Sequence, residues 1–297
     1  MAAVRSALEA VCQKTREVTL VVPDAAVRVL LLDFDEMPAK AAEALPVVRF
    51  RLKKLLPFDA DGAAVSYQVM TTSKGMVQVI AVAMPHEVLA DYENLVREAG
   101  FEPGAVLPST LAALAGLNDG EIPMLVVNAG TDSVTTAIVK GDLVLLHRTV
   151  DLTLNSRGIE RAEDPIASQE QSADSSISAI AAGMNAAGTQ TSAIAEETAV
   201  EASPAPASEV VQAVSVATAY FEDTLEITPA VVLSAGPMGA DALIGVLDEA
   251  GVGMGIGSVA VQEMVNTQML GAGAASAGQA GGIPLGWLAG VRGALAN

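Results

Sequence analysis

MLVVNAGTDSVTTAIVKGDLVLLHRTVDL, residues 124–152, contains three runs rich in β-branched and aliphatic residues: MLVVNAG, SVTTAIV and DLVLLHRTV. Tight glycine-bearing turns part them, so the stretch reads as a β-meander. Its first bend, Asn128 to Ser133, contains Gly130, and consecutive backbone N–H groups in such a bend can cradle a phosphate. Thr131, Ser133 and Thr135 add hydroxyl donors. An ordinary hairpin turn uses the same residue types and is the commoner outcome.

Working downstream, VVQAVSVATAYFEDTL reads as a helix, AVVLSAG as a buried strand and DALIGVLDEAG as the helix after it. The turn from Ser234 to Gly239 thus joins a strand to a helix, and Ala235 and Gly236 sit where a nucleotide's phosphate or sugar often meets a helix N-terminus. A plain strand-to-helix loop stays open at this point. At the end of the chain, PLGWLAGVRGAL reads as a helix docked by Trp287 and Leu288.

Working upstream, Ala2 to Lys14 has the apolar spacing of an amphipathic helix. VTLVV and VRVLLLDF are strand-like, with turn chemistry at Pro23 and Asp24 between them. A helix is expected to start at Pro38 or, better, Pro46 and to run to about Leu56. GAAVSYQVM and MVQVIAVAM form an expected hairpin, HEVLADYENLVREAG a helix closed by Gly100, and LAALAGL a shorter helix capped by Ser109 or Thr110.

The chain has 297 residues, 51% of them apolar, which is enough for one large or two medium cores. Net charge is -19, which gives no electrostatic footprint for nucleic acid. No uninterrupted apolar run reaches spanning length, no signal peptide is legible at the N-terminus, and Cys12 is the only cysteine. Together these predict a cytoplasmic protein with no transmembrane segment of its own. One local exception to the acidity is Arg49, Arg51, Lys53 and Lys54, four cations within six residues. They form either a solvated helix face or a docking patch for an acidic partner or lipid headgroups.

Few residues point to catalysis. No hydrolase elbow, Walker-type loop or zincin motif occurs, and His86 and His147 lie far from metal-ligand spacing, so both read as surface or capping residues and no metal site is expected. Asp33, Asp35, Glu36, Asp59 and Asp61 fall at element ends, where carboxylates serve as solvated caps. No catalytic role is assigned to any of them.

The run LLDFDEMPAKAAEALPVVRFRLKKLLPFDADGAAVSYQVM resembles the PilM family of actin-like type IV pilus assembly proteins, through Leu32, Phe34, Leu45, Pro46, Arg49, Lys53, Lys54, Pro57, Phe58, Val65 and Tyr67. The likeness extends through EAGFEPGAVLPSTLAALAGL, the meander and AYFEDTLEITPAVVLSAG, that is, from about Val18 to Leu154 and from Val210 to the end. It implies an α/β (α+β), actin-like or ribonuclease H-like two-domain fold. The first domain would span 1–118 with a small subdomain at about 35–84. The second would combine 119–155 with 209–297, and 156–208 would be a disordered acidic insertion. From Ile159 to Ser208 there are eight acidic residues, one basic and no aromatic, a composition too polar to offset its ordering entropy.

By resemblance the chain is a cytoplasmic scaffold peripheral to the inner membrane, serving twitching motility. It would bind the cytoplasmic tail of a PilN-like protein and other platform components, and could assemble with its own copies. A groove near Val47 to Met84, with strand edges, would take the tail. ATP with Mg²⁺ would lie at Asn128, Gly130, Thr131, Ser133, Thr135, Ala235 and Gly236, and Arg49, Arg51, Lys53 and Lys54 would meet a partner. Two departures bear on that. The family's first phosphate loop is missing, as though the chain began past it, and Asn128 stands where an aspartate is usual. Both imply weak or absent ATP hydrolysis. The alternatives are an actin-like ATPase or chaperone, or a cytoplasmic domain like that of the type II secretion protein GspL.

Overall fold

A computed structural model describes residues 2–11, 15–73, 75–117, 122–152, 205–227, 229, 231–251, 260–265 and 285–295. The expected acidic insertion therefore lies, up to residue 204, outside the described residues. Ala205 is already buried in the core and a helix begins at Ala207, so the described chain resumes before residue 208.

The second half is built on a five-stranded sheet. Strands β6 (Met124–Ala129), β7 (Ser133–Lys140) and β8 (Leu143–Asp151) form the expected antiparallel meander. β9 (Val231–Ala235) joins β6 in parallel, and β10 (Ala260–Glu263) joins β9 in parallel, giving the order β10-β9-β6-β7-β8. β7 is buried from Ser133 to Val139 because both faces are covered. Val127, Val134 and Ile138 on one face meet Val210, Val214 and Phe221 of helix α5 (Ala207–Tyr220) and the turn after it, with Leu243 of α6 (Ala240–Glu249). Ala137 and Val126 on the other face meet Ala113 and Ala289 from elements that bind the two halves.

The first half repeats part of this plan. α1 (Ala2–Val11) leads into β1 (Glu17–Val22), which pairs in parallel with β5 (Glu102–Pro108). Among the described residues β1 pairs with no other strand. β5 did not stand out in the sequence because Pro103, Gly104 and Pro108 read as breakers. It survives as an edge strand, where a missing N–H costs least. β10, in a Gly/Ala-rich stretch, was equally hidden.

A small subdomain is inserted between β1 and β5. β2 (Arg28–Phe34), β4 (Met76–Pro85) and β3 (Ala63–Ser73) form an antiparallel sheet in the order β2-β4-β3. Since β2 belongs to it, this unit starts at Arg28 rather than at 35. Helix α2 (Ala41–Leu52) packs Val48 and Leu52 on one face of the sheet, against Leu32, Ala81 and Ala83. α2 begins neither at Pro38 nor at Pro46: Pro46 lies inside it, and the carbonyl that loses its donor belongs to solvent-exposed Ala42. α3 (His86–Glu98) covers the other face, with Val88, Leu89 and Tyr92 near Val82 and Met84. An ion pair from Arg28 Nη2 to Asp151 Oδ2, 3.6 Å, ties β2 to β8.

Two helices close the molecule: α4 (Ser109–Leu114) after β5, and α7 (Leu288–Ala294) after β10. They touch through small residues, so closely that a Cβ on Gly293 would come within 1.7 Å of the Ala112 carbonyl oxygen. Docking of the last helix thus depends on Ala289, Gly290 and Gly293, and not on Trp287, which is 50% exposed. A parallel strand pair followed by a helix occurs in each half, and the two helices meet. This is the actin-like, ribonuclease H-like arrangement, with mixed α/β content.

Candidate functional site

Between the halves lies a cavity of about 340 Å³. Its walls come from the end of β1, the start of α4, the β6–β7 bend, the turn after β9 and the first turn of α7. Of the residues expected at a site, Asn128, Gly130, Thr131, Ser133, Ala235 and Gly236 all line it. Thr135 does not: it is fully buried, with its hydroxyl 3.0 Å from that of Thr149 on β8. The two glycine-bearing bends therefore share one cleft.

The most connected side chain there is one the sequence presented only as a turn residue. Asp24, in a short 3₁₀ turn after β1, is 2% exposed. Its carboxylate accepts from Ser109 Oγ at 3.0 Å, from the Thr110 backbone N–H at 3.1 Å, from the Thr110 hydroxyl and from Asn128 Nδ2 at 3.2 Å. Asn128 Nδ2 also donates to Ser109 Oγ and Thr110 Oγ1, at 3.1 and 2.9 Å. Ser109 and Thr110 hence do not cap α4 with their own side chains. Asp24 satisfies an orphan first-turn amide of that helix from a distant part of the chain. The one signal in the sequence is a lone acidic residue after Pro23 at the end of an apolar strand, which ordinary turns share.

Asn128 suits this position. Its amide can donate to a carboxylate, whereas an aspartate here would bring two like charges together. Gly236, with φ +82°, packs against it, and a Cβ there would stand 2.4 Å from Asn128 Oδ1.

His147 is half-buried and not a surface residue or a cap. Its Nε2 is buried without a hydrogen-bond partner among the described residues. Burial lowers its pKa from the ordinary 6.5, opposed in part by the charge of Asp24. Tyr92 of α3 has a raised pKa, first from burial and then from Asp132 in the β6–β7 bend.

Two of the amides that a phosphate could use are already committed. The Gly130 N–H closes its own bend on the Ser133 carbonyl at 2.9 Å, and the Gly236 N–H donates to the Gly286 carbonyl at 3.0 Å. Among the described residues lining the cavity none is cationic, and Asp24 and Asp132 are anionic. Trp287 offers an aromatic face at the rim.

The cations expected at a docking patch divide. Arg49 is turned inward, its guanidinium on the carbonyls of Ala60 and Ala63. Arg51, Lys53 and Lys54 are exposed, and Lys53 pairs with Asp61 at 2.5 Å.

A second cavity, of about 260 Å³, opens between the small subdomain and the first half. Val27, Val82, Met84, Leu89 and Val106 make it apolar, and Glu93 is its charged residue. The β3 residues Ala64 to Ser66 border it, and among the described residues β3 pairs only with β4, and β5 only with β1.

No protein-family model matches the chain, and no curated protein sequence does. Among solved structures it is similar to a chain of the PilM–PilN type IV pilus biogenesis complex, with 16% identity and a TM-score of 0.63, over 99% of this chain and 84% of that one. Two likenesses are looser. The cytoplasmic domain of EpsL, an inner-membrane component of the type II secretion system of Vibrio cholerae, shares 15% identity over 57% of this chain and 63% of that chain, at a TM-score of 0.36. A Bacteroides thetaiotaomicron protein with an actin-like ATPase fold and unknown function shares 8% identity over 88% and 75%, at 0.42. Scores this low do not establish a common fold. The sheet order and the first of these likenesses agree, and in fold the chain is a PilM-like, actin-like protein.

Proposed function

We propose that the chain is a scaffold of a type IV pilus assembly platform that holds an extended segment of a PilN-like partner's cytoplasmic tail. The observation that carries this reading is the apolar cavity between β3, β4, α3 and β5. A peptide there would find two open strand edges for backbone hydrogen bonds and pockets lined by Val82, Met84 and Val106 for alternate side chains. Support also comes from the fold shared with a chain of the PilM–PilN complex. No helix among the described residues is long and apolar enough to cross a membrane, so in this reading the partner supplies the anchor and the chain sits in the cytoplasm beside the inner membrane. Binding of a tail peptide should be saturable and should weaken at least tenfold in Ser66→Arg, whose side chain, on the same sheet face as Val82, would fill the groove. Equal binding by both proteins would refute the reading.

ATP with Mg²⁺ is left out of this reading, because both glycine amides of the larger cavity are committed and no cation lines it among the described residues. Turnover is not part of the proposal. A nucleotide's base and sugar remain compatible with Trp287 and Gly236, and a rise of several degrees in melting temperature with ATP and Mg²⁺ would favour the ATPase or chaperone alternative.

A further inference from the structure

We infer that the end of α2 and the turn after it form a docking surface for an anionic lipid bilayer. Ala44, Val48 and Leu52 bury one side of α2, which leaves Val47, Phe50, Arg51 and Lys54, spaced i, i+3, i+4 and i+7, as an exposed stripe along one flank. The turn that follows carries Leu55. Phe50 is 66% exposed and Leu55 50% exposed. The Lys54 ammonium lies 5.9 Å from the centre of the Phe50 ring.

Charge singles the patch out. A chain of net charge -19 places four of its sixteen Lys and Arg residues within residues 49–54. Arg49 serves the following loop and Lys53 has Asp61, but Arg51 and Lys54 form no ion pair among the described residues. Of the acids close by, Glu43, one turn before Val47, pairs with Lys40 at 3.3 Å, and Asp59 accepts from the amides of Asp61 and Gly62. Two cations without an ion pair thus lie beside an exposed aromatic and an exposed leucine, the chemistry of an interfacial anchor with its ring at headgroup level and its cations on lipid phosphates.

Shape decides between a bilayer and an acidic protein. Neither the cleft between the halves nor the tail groove includes an α2 residue, and the patch is a convex helix shoulder, while peptides are held in concave sites. A fluid lipid surface can mould itself to a projecting Phe. The patch and the proposed tail groove lie on opposite faces of the β2-β4-β3 sheet, so both can be occupied together.

The test needs no protein partner, so its outcome is independent of the PilN-like reading. The full chain is sedimented with vesicles of phosphatidylcholine alone and of phosphatidylcholine with about a third phosphatidylserine, at low and high salt. Binding is expected only to the anionic vesicles at low salt. Arg51→Gln/Lys54→Gln should lower the partition about 25-fold, at about fivefold per cation, and Phe50→Ser should lower it too, all with unchanged melting temperature because these side chains are exposed. No binding by the wild type, or equal binding by the double variant, would overturn the proposal. So would retention on an immobilised polyglutamate peptide without vesicle binding, which would assign the patch to an acidic protein.

Discussion

Asn128 Nδ2 donates to Asp24 Oδ2 at 3.2 Å, and this bond joins the tip of β6 in one half to the turn after β1 in the other. With the hydroxyls of Ser109 and Thr110 it forms a buried polar clasp beneath the cleft. A carboxylate with so little exposure persists only because four donors replace its water.

Asp24→Ala should therefore cost about 2–4 kcal/mol, since it leaves several buried donors without an acceptor. Asp24→Asn keeps the volume but turns an NH₂ group toward other donors, and should recover little of that loss. Urea denaturation of the three proteins measures both differences. A loss below about 0.5 kcal/mol for Asp24→Ala would mean that the clasp contributes little.

The clasp also shows where sequence reading reached its limit. The meander, the β3–β4 hairpin and the helix at His86 were legible because each has its own period and turn residues. Gly130 and Gly236 could be paired only through the resemblance to the PilM family, and they do share the cleft. Asp24 could not be placed, since its partners lie 85, 86 and 104 residues away and no local pattern encodes them. Trp287 misled for a related reason: bulk suggested an anchor, while close helix contact demands the absence of side chains, which composition presents only as a Gly/Ala-rich tail.

Asn128→Asp tests why an amide occupies this position. A second carboxylate would lie within hydrogen-bond distance of Asp24, and two such groups cannot both ionise without cost. The variant should lose about 1–3 kcal/mol near neutral pH. Sharing one proton relieves the repulsion, so the deficit relative to wild type should shrink as the pH falls toward about 5. A deficit that does not change with pH would point to packing instead of charge.

His147 gives the opposite pH trend. Its folded pKa lies below the ordinary 6.5, so the folded chain binds fewer protons than the unfolded one in the window from 6.5 down to the folded value. Stability from this group is thus intact above 6.5 and is lost as the pH falls through that window. His147→Gln has no proton to take up there. Between about pH 7.5 and about pH 5.5 its unfolding free energy should fall less than that of the wild type, as measured by denaturant titration at each pH. Parallel curves for the two proteins would refute the assignment.

Glycine-to-alanine changes at two helical positions should have opposite signs. At Gly293 in α7 a Cβ would sit 1.7 Å from the Ala112 carbonyl oxygen and 3.1 Å from the Gly116 nitrogen, so α7 must lift away from α4. Backbone atoms cannot rotate aside as a flexible side chain can, so the cost should reach the upper part of the range of about 1–3 kcal/mol for overpacking in a tight core. At Gly245 in α6 a Cβ meets nothing within 4 Å, and the residue is exposed. There the gain in helix propensity acts alone and should stabilise by about 0.5–1 kcal/mol. Thermal melts of Gly293→Ala and Gly245→Ala should shift down and up respectively. If Gly293→Ala melts at the wild-type temperature, α7 is not held by the close contact with α4, and the joint between the two halves must depend on the Asp24 clasp and the Arg28–Asp151 ion pair.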